Sequence, residues 1–300
     1  MSKYLFVHFI GEGPDGEQIY FSVSKDGLHW QDLNDGKPVL KSSLGEEGVR
    51  DPFIVQDPNS KDYFLIATDL RIGAYHDWNR AEYCGSKDII VWQSKNLIDW
   101  SDEWSVKVGI DLAGCVWAPE AIFDQEKQSF LVFFASMVKE GNEKAKQRIY
   151  ASYTTNFRDF TPTEKYIERK NHIIDTNIIQ NDGIYYRFSK DETTKTIDME
   201  RGTSLAKDAF VKVETPLLDS LYALEGPECY QLPDGTWCLI ADQFGAGLGY
   251  LPILIPDLEN PEMTIMDKAD YNLGQTKKRH GGVIKITDEE YESLMASYTH

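Results

Sequence analysis

Gly48-Val49-Arg50-Asp51-Pro52-Phe53-Ile54 places a carboxylate directly before a proline, at the beginning of a short apolar run. Proline restricts the residue before it to extended backbone, so Asp51 is predicted to hold its side chain in a narrow range of directions. Four later apolar runs also begin with a polar or ionisable group, at residues 117–123, 174–179, 225–230 and 279–284. Five such beginnings predict five equivalent strands arranged around a common centre.

A second recurring pattern is a polar turn that follows one strand and leads an aromatic residue into the next. Ser24-Lys25-Asp26-Gly27-Leu28-His29-Trp30 returns at residues 94–100 and 154–160, and faintly at residues 204–210. Pairs of apolar runs lie between these turns, and residues such as Asn181-Asp182-Gly183 predict hairpins within the pairs. The pattern predicts a unit of four antiparallel strands about every 50–70 residues, which is typical of a β-propeller blade.

Only four units are complete in chain order. The fifth beginning, at residues 280–287, has no strands after it, whereas the apolar runs at residues 4–9 and 19–23 have no inner strand before them. Joining the two ends predicts an all-β, five-bladed β-propeller whose N-terminal strands complete the last blade with strand 280–287. Residues 1–300 are predicted to form one domain, with a short C-terminal helix at about residues 288–297 that begins with a capping box.

The composition limits the partners. A formal net charge of −18 argues against nucleic acids and anionic membranes, and it is compatible with a neutral oligosaccharide. No stretch reaches the length of a membrane span, and the short apolar run at residues 4–10 lacks a signal-peptide cleavage site, so the chain as given is predicted to be cytoplasmic. The four cysteines show no metal-ligand spacing and are predicted to be free thiols, with a Cys229–Cys238 disulfide as the alternative. No oligomeric state is predicted.

The residues that begin the inner strands should converge on the central channel. They are Asp51, Asp175, Glu225 and His280, with Glu120 as a weaker member. Three carboxylates suit glycoside hydrolysis, in which one activates water, a protonated one donates to the leaving oxygen, and a third raises the pKa of that acid. The longer reach of Glu225 suits the acid, the immobilised Asp51 suits the base, and Asp175 is the predicted modulator. Glu228 competes with Glu225, but a separation of three predicts opposite faces of the strand, so Glu225 is preferred.

Taken together, these motifs resemble glycoside hydrolase family 43. They are Arg-Asp-Pro-Phe-Ile around Asp51, Trp117-Ala118-Pro119-Glu120, Ile-Asp-Thr-Asn around Asp175, Glu-Gly-Pro from Glu225, and Arg-His-Gly-Gly around His280. The resemblance covers the whole chain and implies a five-bladed propeller that inverts the anomeric centre of arabinofuranosides, xylosides or related sugars. It also implies that the base, the pKa modulator and the acid are Asp51, Asp175 and Glu225.

The resemblance further implies a hub histidine, often near a calcium ion or an ordered water, at His280. No cofactor is required, and a structural calcium at the hub is the one metal that the resemblance allows. Three departures affect the sugar more than the reaction: Glu120 stands where the family usually has Asp, Thr176 where it often has Pro, and Gly226 where it often has Ala.

Several side chains near the strand beginnings are candidates for binding the substrate. They are Trp117, Glu120, Phe53, Asn177, Arg187, Gln243, Arg279 and Trp78. Packing between blades is the alternative explanation for each aromatic member of this set. The predicted function is an inverting exo-glycosidase that releases a terminal pentose, preferably L-arabinofuranose, from plant-type oligosaccharides. The alternatives are a β-xylosidase of the same fold, a phosphorylase with clustered basic residues at the mouth, and a non-catalytic sugar-binding propeller.

Overall fold

The computed structural model describes residues 2–298. Within this range the strands form five antiparallel sheets of four strands each, and the sheets are arranged as a five-bladed β-propeller. The predicted fold class is therefore confirmed. None of the helices in residues 2–298 combines the length and the apolar character needed to cross a membrane.

The strands follow the order of the blades along the chain. Blade 5 receives the first three strands, β1 (Lys3–His8), β2 (Tyr20–Ser24) and β3 (Trp30–Asp32). Blade 1 contains β4 (Val49–Gln56), β5 (Tyr63–Asp69), β6 (Asp88–Ser94) and β7 (Trp104–Lys107). Blade 2 contains β8 (Trp117–Asp124), β9 (Ser129–Val138), β10 (Lys146–Thr154) and β11 (Glu164–Ile167). Blade 3 contains β12 (Ile173–Asn181), β13 (Ile184–Asp191), β14 (Thr196–Gly202) and β15 (Phe210–Val213). Blade 4 contains β16 (Glu225–Gln231), β17 (Trp237–Asp242), β18 (Tyr250–Ile255) and β19 (Thr264–Ile265).

The ring closes as the sequence predicts. The last strand, β20 (Gly281–Ile286), pairs antiparallel with β1 and becomes the inner strand of blade 5, with Val7 opposite Gly282 and Leu5 opposite Ile284. The two ends of the chain therefore share one sheet.

Short helices lie between or after the blades. They are α1 (Ile72–Tyr75), α2 (Trp78–Tyr83), α3 (Pro216–Ser220) and α4 (Asp288–Tyr298), with two 3-10 turns at Asn34–Gly36 and Lys268–Asp270. At the start of α4, the Glu290 backbone N–H donates to the Thr287 hydroxyl at 3.1 Å, and the Thr287 N–H donates to the Glu290 carboxylate at 2.8 Å. These two bonds form the capping box that the sequence indicates.

The hydrophobic core is divided among the gaps between neighbouring blades. Along β5, Tyr63 and Leu65 pack toward blade 5, whereas Phe64 and Ile66 pack toward blade 2. Side chains of a strand alternate between its two faces, so a strand with apolar residues at every position can fill two gaps at once. This explains why the second strand of each blade is almost entirely buried.

The repeated turn has a common hydrogen bond. The hydroxyls of Ser24, Ser94 and Thr154 each accept the backbone N–H three residues later, at 2.9, 3.0 and 2.9 Å. The donating residues, Gly27, Leu97 and Phe157, all have a positive φ. The first three copies of the sequence pattern are therefore the same local structure.

The topology decides which loops surround the mouth of the central channel. In each blade the second strand runs antiparallel to the inner strand, so its end returns to the edge where the inner strand begins. The connections that follow the second strands of blades 1 to 4, together with the β1–β2 connection, therefore lie at this edge. They are residues 70–87, 139–145, 192–195, 243–249 and 9–19.

Candidate active site

The inner strands of blades 1 to 4 each begin with a β-bulge. In every case a residue inside the bulge has a positive φ, at Asp51 (47°), Ala118 (48°), Asp175 (48°) and Gly226 (54°). The prediction that Pro52 keeps Asp51 in an extended conformation is therefore wrong. The extra residue of a bulge can take the left-handed conformation, which costs a residue other than glycine about 1–2 kcal/mol. Strain of this kind is characteristic of functional sites.

His280 directly precedes β20 and lies where three of these strands meet. Its Nδ1 is 3.6 Å from Asp51 Oδ1 and 3.8 Å from Asp175 Oδ1, and its Nε2 is 3.8 Å from Glu120 Oε1. Burial alone would lower the pKa of His280, but Asp175, Glu120 and Asp51 outweigh it and raise the pKa to about 10. The His280 side chain therefore lies against carboxyl groups from blades 1, 2 and 3.

The residues around His280 do not fit a calcium ion. Among residues 2–298, no three His, Cys, Asp or Glu side chains are grouped so that they could hold a metal ion. The two ring nitrogens of His280 already face Asp51, Asp175 and Glu120, the carboxyl groups that calcium would need.

Gly226 allows His280 to approach blade 4. A Cβ atom at this position would lie 2.6 Å from His280 Cγ, and the φ of Gly226 is 54°. We expect Gly226→Ala to lower the free energy of unfolding by about 3 kcal/mol, because it combines overpacking with a left-handed alanine. Urea denaturation measures this loss.

Gly183→Ala is the matched control. Gly183 has a φ of 81°, but a Cβ there would meet nothing within 4 Å. We expect this variant to lose only the backbone cost of about 1–2 kcal/mol. An equal loss in both variants would show that contact with His280 is not what requires glycine at position 226.

Asp51 and Asp175 are each held by a donor from a neighbouring segment. The Thr68 hydroxyl donates to Asp51 Oδ2 at 3.0 Å and accepts the Ala118 N–H at 2.8 Å. Asp175 Oδ2 accepts the Gly226 N–H at 3.1 Å. Burial is the main cause that raises the pKa of Asp175, to about 6, and the nearby carboxylates add to this effect.

Glu225 lies at the same mouth, but its electrostatics differ from the prediction. Its Oε2 accepts from Lys190 Nζ at 2.9 Å and its Oε1 from Arg279 Nη2 at 2.8 Å. Burial would raise the pKa of Glu225, but Lys190 and Arg279 together hold it below its ordinary value. In the free protein the raised pKa therefore belongs to Asp175, the predicted modulator, and the predicted acid is an ion-paired carboxylate.

Glu228 also reaches the hub, which corrects the prediction that only Glu225 can. The bulge adds one residue to β16 between the two, so a separation of three no longer places them on opposite faces. One Asn177 amide donates to Glu120 Oε2 at 2.9 Å and to Glu228 Oε2 at 2.6 Å. Glu228 Oε1 accepts the Val283 N–H at 2.8 Å. This chain of contacts joins blades 2, 3, 4 and 5.

Burial raises the pKa of both carboxyl groups in this chain. The pKa of Glu120 is about 7, despite the opposing effect of His280, and the pKa of Glu228 lies well above its ordinary value because Glu120 adds to the effect of burial. Glu120 and Asn177, which were predicted to bind substrate, are buried beneath the mouth with their polar atoms bonded to protein. The structure places them in support of the site.

The aromatic candidates divide into two groups. Trp78 is 50% exposed on α2, and its ring meets Trp117 edge-on with centroids 6.2 Å apart. The guanidinium carbon of Arg50, the residue before Asp51, lies 5.3 Å from the Trp78 ring centre. This contact places the two tryptophans close to the beginning of β4. Phe53, in contrast, packs into the core between blades 1 and 2. Trp78 and Trp117 remain candidates for sugar contact.

Of the three remaining polar candidates, Arg279 and Gln243 lie at the mouth and Arg187 does not. Arg279 pairs with Glu225, and Gln243 lies in the mouth loop after β17, where its Nε2 donates to Gly249 O at 3.3 Å. Arg187 lies in the middle of β13 and donates to Glu200 Oε2 at 2.6 Å, with its guanidinium carbon 4.0 Å from the Phe210 ring centre. The structure therefore separates Arg187 from the acidic site.

Sequence reasoning missed the residues that the second strands bring to the mouth. Thr68, Lys190 and Asp242 stand opposite Arg50, Ile174 and Glu225 in the antiparallel ladders. The signal was present, because each lies at or near the end of the second apolar run of a predicted strand pair. Assigning which residues face each other in each hairpin would have placed them beside the acidic residues of the inner strands.

Comparisons with known proteins agree with this architecture. The chain is 26% identical over 288 residues to an α-L-arabinofuranosidase from Bifidobacterium longum subsp. longum, an alignment that covers 80% of this chain and 27% of that protein. The chain therefore spans about a quarter of the length of this curated relative.

Solved structures are similar in fold. A family-43 β-1,3-galactosidase solved with galactodeoxynojirimycin has a TM-score of 0.60 at 12% identity, over 89% of this chain and 91% of that one. An exo-β-1,3-galactanase from Phanerochaete chrysosporium has a TM-score of 0.53 at 16% identity, over 72% of this chain and 49% of that one. At these identities the likeness concerns the fold.

A family model decides the assignment. The model described as "Probable glycosyl hydrolase domain", related to glycoside hydrolase family 43, matches residues 1–292. With the five-bladed propeller and the acidic mouth in place, we conclude that the chain belongs to this family of glycoside hydrolases.

Proposed function

We propose that the protein is an inverting exo-glycosidase that releases a terminal pentose, with L-arabinofuranose as the preferred sugar. The observation that carries the proposal is the convergence of Asp51, Asp175 and Glu225 from three blades on one mouth beside His280. Two carboxyl groups are what inverting hydrolysis needs, one as base and one as acid.

In the proposed mechanism Asp51 is the general base. It removes a proton from water as the water attacks the anomeric carbon, and Thr68 and His280 hold its two oxygens in place. Glu225 donates a proton to the glycosidic oxygen on the other side of the sugar. Inversion requires carboxyl groups about 6.5–9.5 Å apart, with room for water, rather than about 5–5.5 Å. Blades 1 and 4 are not neighbours in the ring, which supports the wider arrangement.

Asp175 is the proposed modulator between these two groups. It lies against both His280 and the Gly226 N–H, beside Glu225, and the charges of Glu225 and Asp51 act on its pKa. A carboxyl group in this position changes the charge that the acid experiences when it gains or loses a proton. Glu225 must be protonated to act as the acid, although the free protein stabilises its carboxylate.

The choice of sugar rests on the curated relative, whose name is α-L-arabinofuranosidase. The substrate is proposed to be a neutral oligosaccharide, since the mouth already carries several carboxylates. A panel of aryl α-L-arabinofuranoside, β-D-xyloside and β-D-galactoside substrates tests the proposal. We expect the highest kcat/KM with the arabinofuranoside, and a product that NMR first detects as the β anomer.

Each other outcome of the panel has a definite meaning. Preference for the xyloside would replace the proposed sugar and keep the mechanism. An arabinose product that first appears as the α anomer, or a xylose or galactose product that first appears as the β anomer, would exclude inversion. Binding of oligosaccharides without release of sugar from any substrate would identify a sugar-binding propeller in place of an enzyme.

A further inference from the structure

Both carboxylate oxygens of Glu225 are occupied by cations. Lys190 Nζ lies 2.9 Å from Oε2, and Arg279 Nη2 lies 2.8 Å from Oε1. A general acid must carry a proton on an oxygen that points at the leaving group. Release of Glu225 by one of the two cations would free an oxygen for this proton and favour its uptake.

The two cations differ in how firmly they are held. Arg279 is a planar guanidinium whose Nε also donates to Asp242 Oδ2 at 2.5 Å, so its position is fixed at two points. Lys190 is a point charge on a flexible stem of four carbons, which can turn between partners. Its side chain is only 3% exposed, so any second partner has to be a protein group.

Glu192 provides that second partner. Its Oε2 lies 2.7 Å from Lys190 Nζ, so the ammonium already bridges Glu192 and Glu225. Its Oε1 accepts from Lys195. A small rotation of Lys190 toward Glu192 can therefore give up the bond to Glu225 while the ammonium keeps a buried anionic partner.

We propose that Lys190 is a movable positioning residue, which bridges Glu225 and Glu192 in the free protein and withdraws onto Glu192 alone when a glycoside binds. This inference rests on the proposed role of Glu225 as the acid. Once Lys190 has turned away, Glu225 takes a proton from solvent through the mouth and passes it to the glycosidic oxygen. Asp51 meanwhile takes the proton from the attacking water, and the return of that proton to solvent completes the cycle.

Other charged groups face Glu225 from every neighbouring segment. Asp175 lies on β12 and Asp242 on β17, and both carboxylates favour protonation of Glu225. Arg279 precedes β20, and Glu12, on the β1–β2 loop, lies 3.9 Å from its Nη1. These groups are attached to different elements from Lys190, so a change at Lys190 leaves them in place.

The test compares pH profiles of two kinetic constants in Lys190→Met. The upper limb of kcat/KM reports the acid in the free enzyme, and the upper limb of kcat reports it in the substrate complex. We expect the kcat/KM limb to move up by about one pH unit, because a cation has left Glu225, and the kcat limb to move by less than about 0.3. Equal movement of both limbs, or movement of neither, would overturn the proposal.

Glu192→Gln tests the same movement of Lys190 by removing the charge of its second partner. Without an anion to receive Lys190, we expect the upper limb of kcat to fall by about one pH unit, and a kcat limb at the wild-type position would contradict the proposal. Lys195→Met is the matched control, since Lys195 contacts Glu192 but no contact joins it to Glu225, and both limbs should stay near the wild-type positions. Glu225→Gln separates the two ideas: full turnover of a disaccharide by that variant would remove the proposed role of Glu225 as the acid, whereas a large loss in that variant with unchanged pH limbs in Lys190→Met would overturn only the movement of Lys190.

Discussion

Replacement of Asp51 by Asn is expected to lower kcat about 10³-fold, with the fold intact. An amide cannot remove a proton from the attacking water, and general-base catalysis contributes roughly 10²–10⁴-fold to such reactions. Asn keeps an oxygen that can accept the hydrogen bond from Thr68, so the side chain should hold its position. Steady-state kinetics with the best substrate of the panel measures the loss, and thermal unfolding checks the fold.

The chain offers a close control for this variant. Asp57 also precedes a proline, and its Oδ1 accepts the Asn59 N–H at 2.8 Å in the turn between β4 and β5. This turn lies at the end of β4 opposite to the mouth, so Asp57→Asn should retain wild-type kcat. If Asp51→Asn also retains wild-type kcat, Asp51 is not the base.

Replacement of Glu225 by Gln is expected to have an effect that depends on the leaving group. With a disaccharide, whose leaving alcohol needs a proton, we expect kcat to fall about 10³-fold. With a dinitrophenyl glycoside, whose leaving group departs without protonation, we expect a loss of roughly tenfold or less. The ratio of the two losses identifies the acid independently of any general damage to the site.

The same variant probes the ion pairs of Glu225. Gln removes the charge that holds Lys190 and Arg279, yet its amide oxygen can still accept from one of them. Equal losses with both substrates would mean that the substitution disturbs substrate binding, and would point to a different acid. Glu228 would then be the residue to test, since it also reaches the hub and its pKa is raised.

Local patterns in the chain were sufficient to predict the fold. The alternation of apolar strands and the repeated Ser/Thr turns are short-range features, and the turn hydrogen bonds in three copies show that the same residues make the same structure. Ring closure was predictable because β20 had no strand after it in sequence and β1 had no inner strand before it, and an unpaired inner strand cannot satisfy its backbone.

The details of the site depended on β-bulges, which the sequence pattern does not indicate. A β-bulge changes the direction of every later side chain in its strand, and for this reason Glu228 was assigned to the wrong face. Asp51 was assigned to the wrong backbone region because it lies inside a bulge. Arg187 was expected to bind substrate, but the structure places it in the middle of β13, where its side chain pairs with Glu200.

The sequence alone determined the five blades, the closure of the ring and the acidic residues at the starts of the inner strands, because these follow from periodicity and turns within short segments. Only the tertiary structure decided which carboxyl groups can ionise. Lys190 and Arg279 come from other blades to neutralise Glu225, whereas Glu120, Asp175 and Glu228 are buried close to one another. A pKa depends on the charges and the burial around a group in space, and residues far apart in the chain supply both.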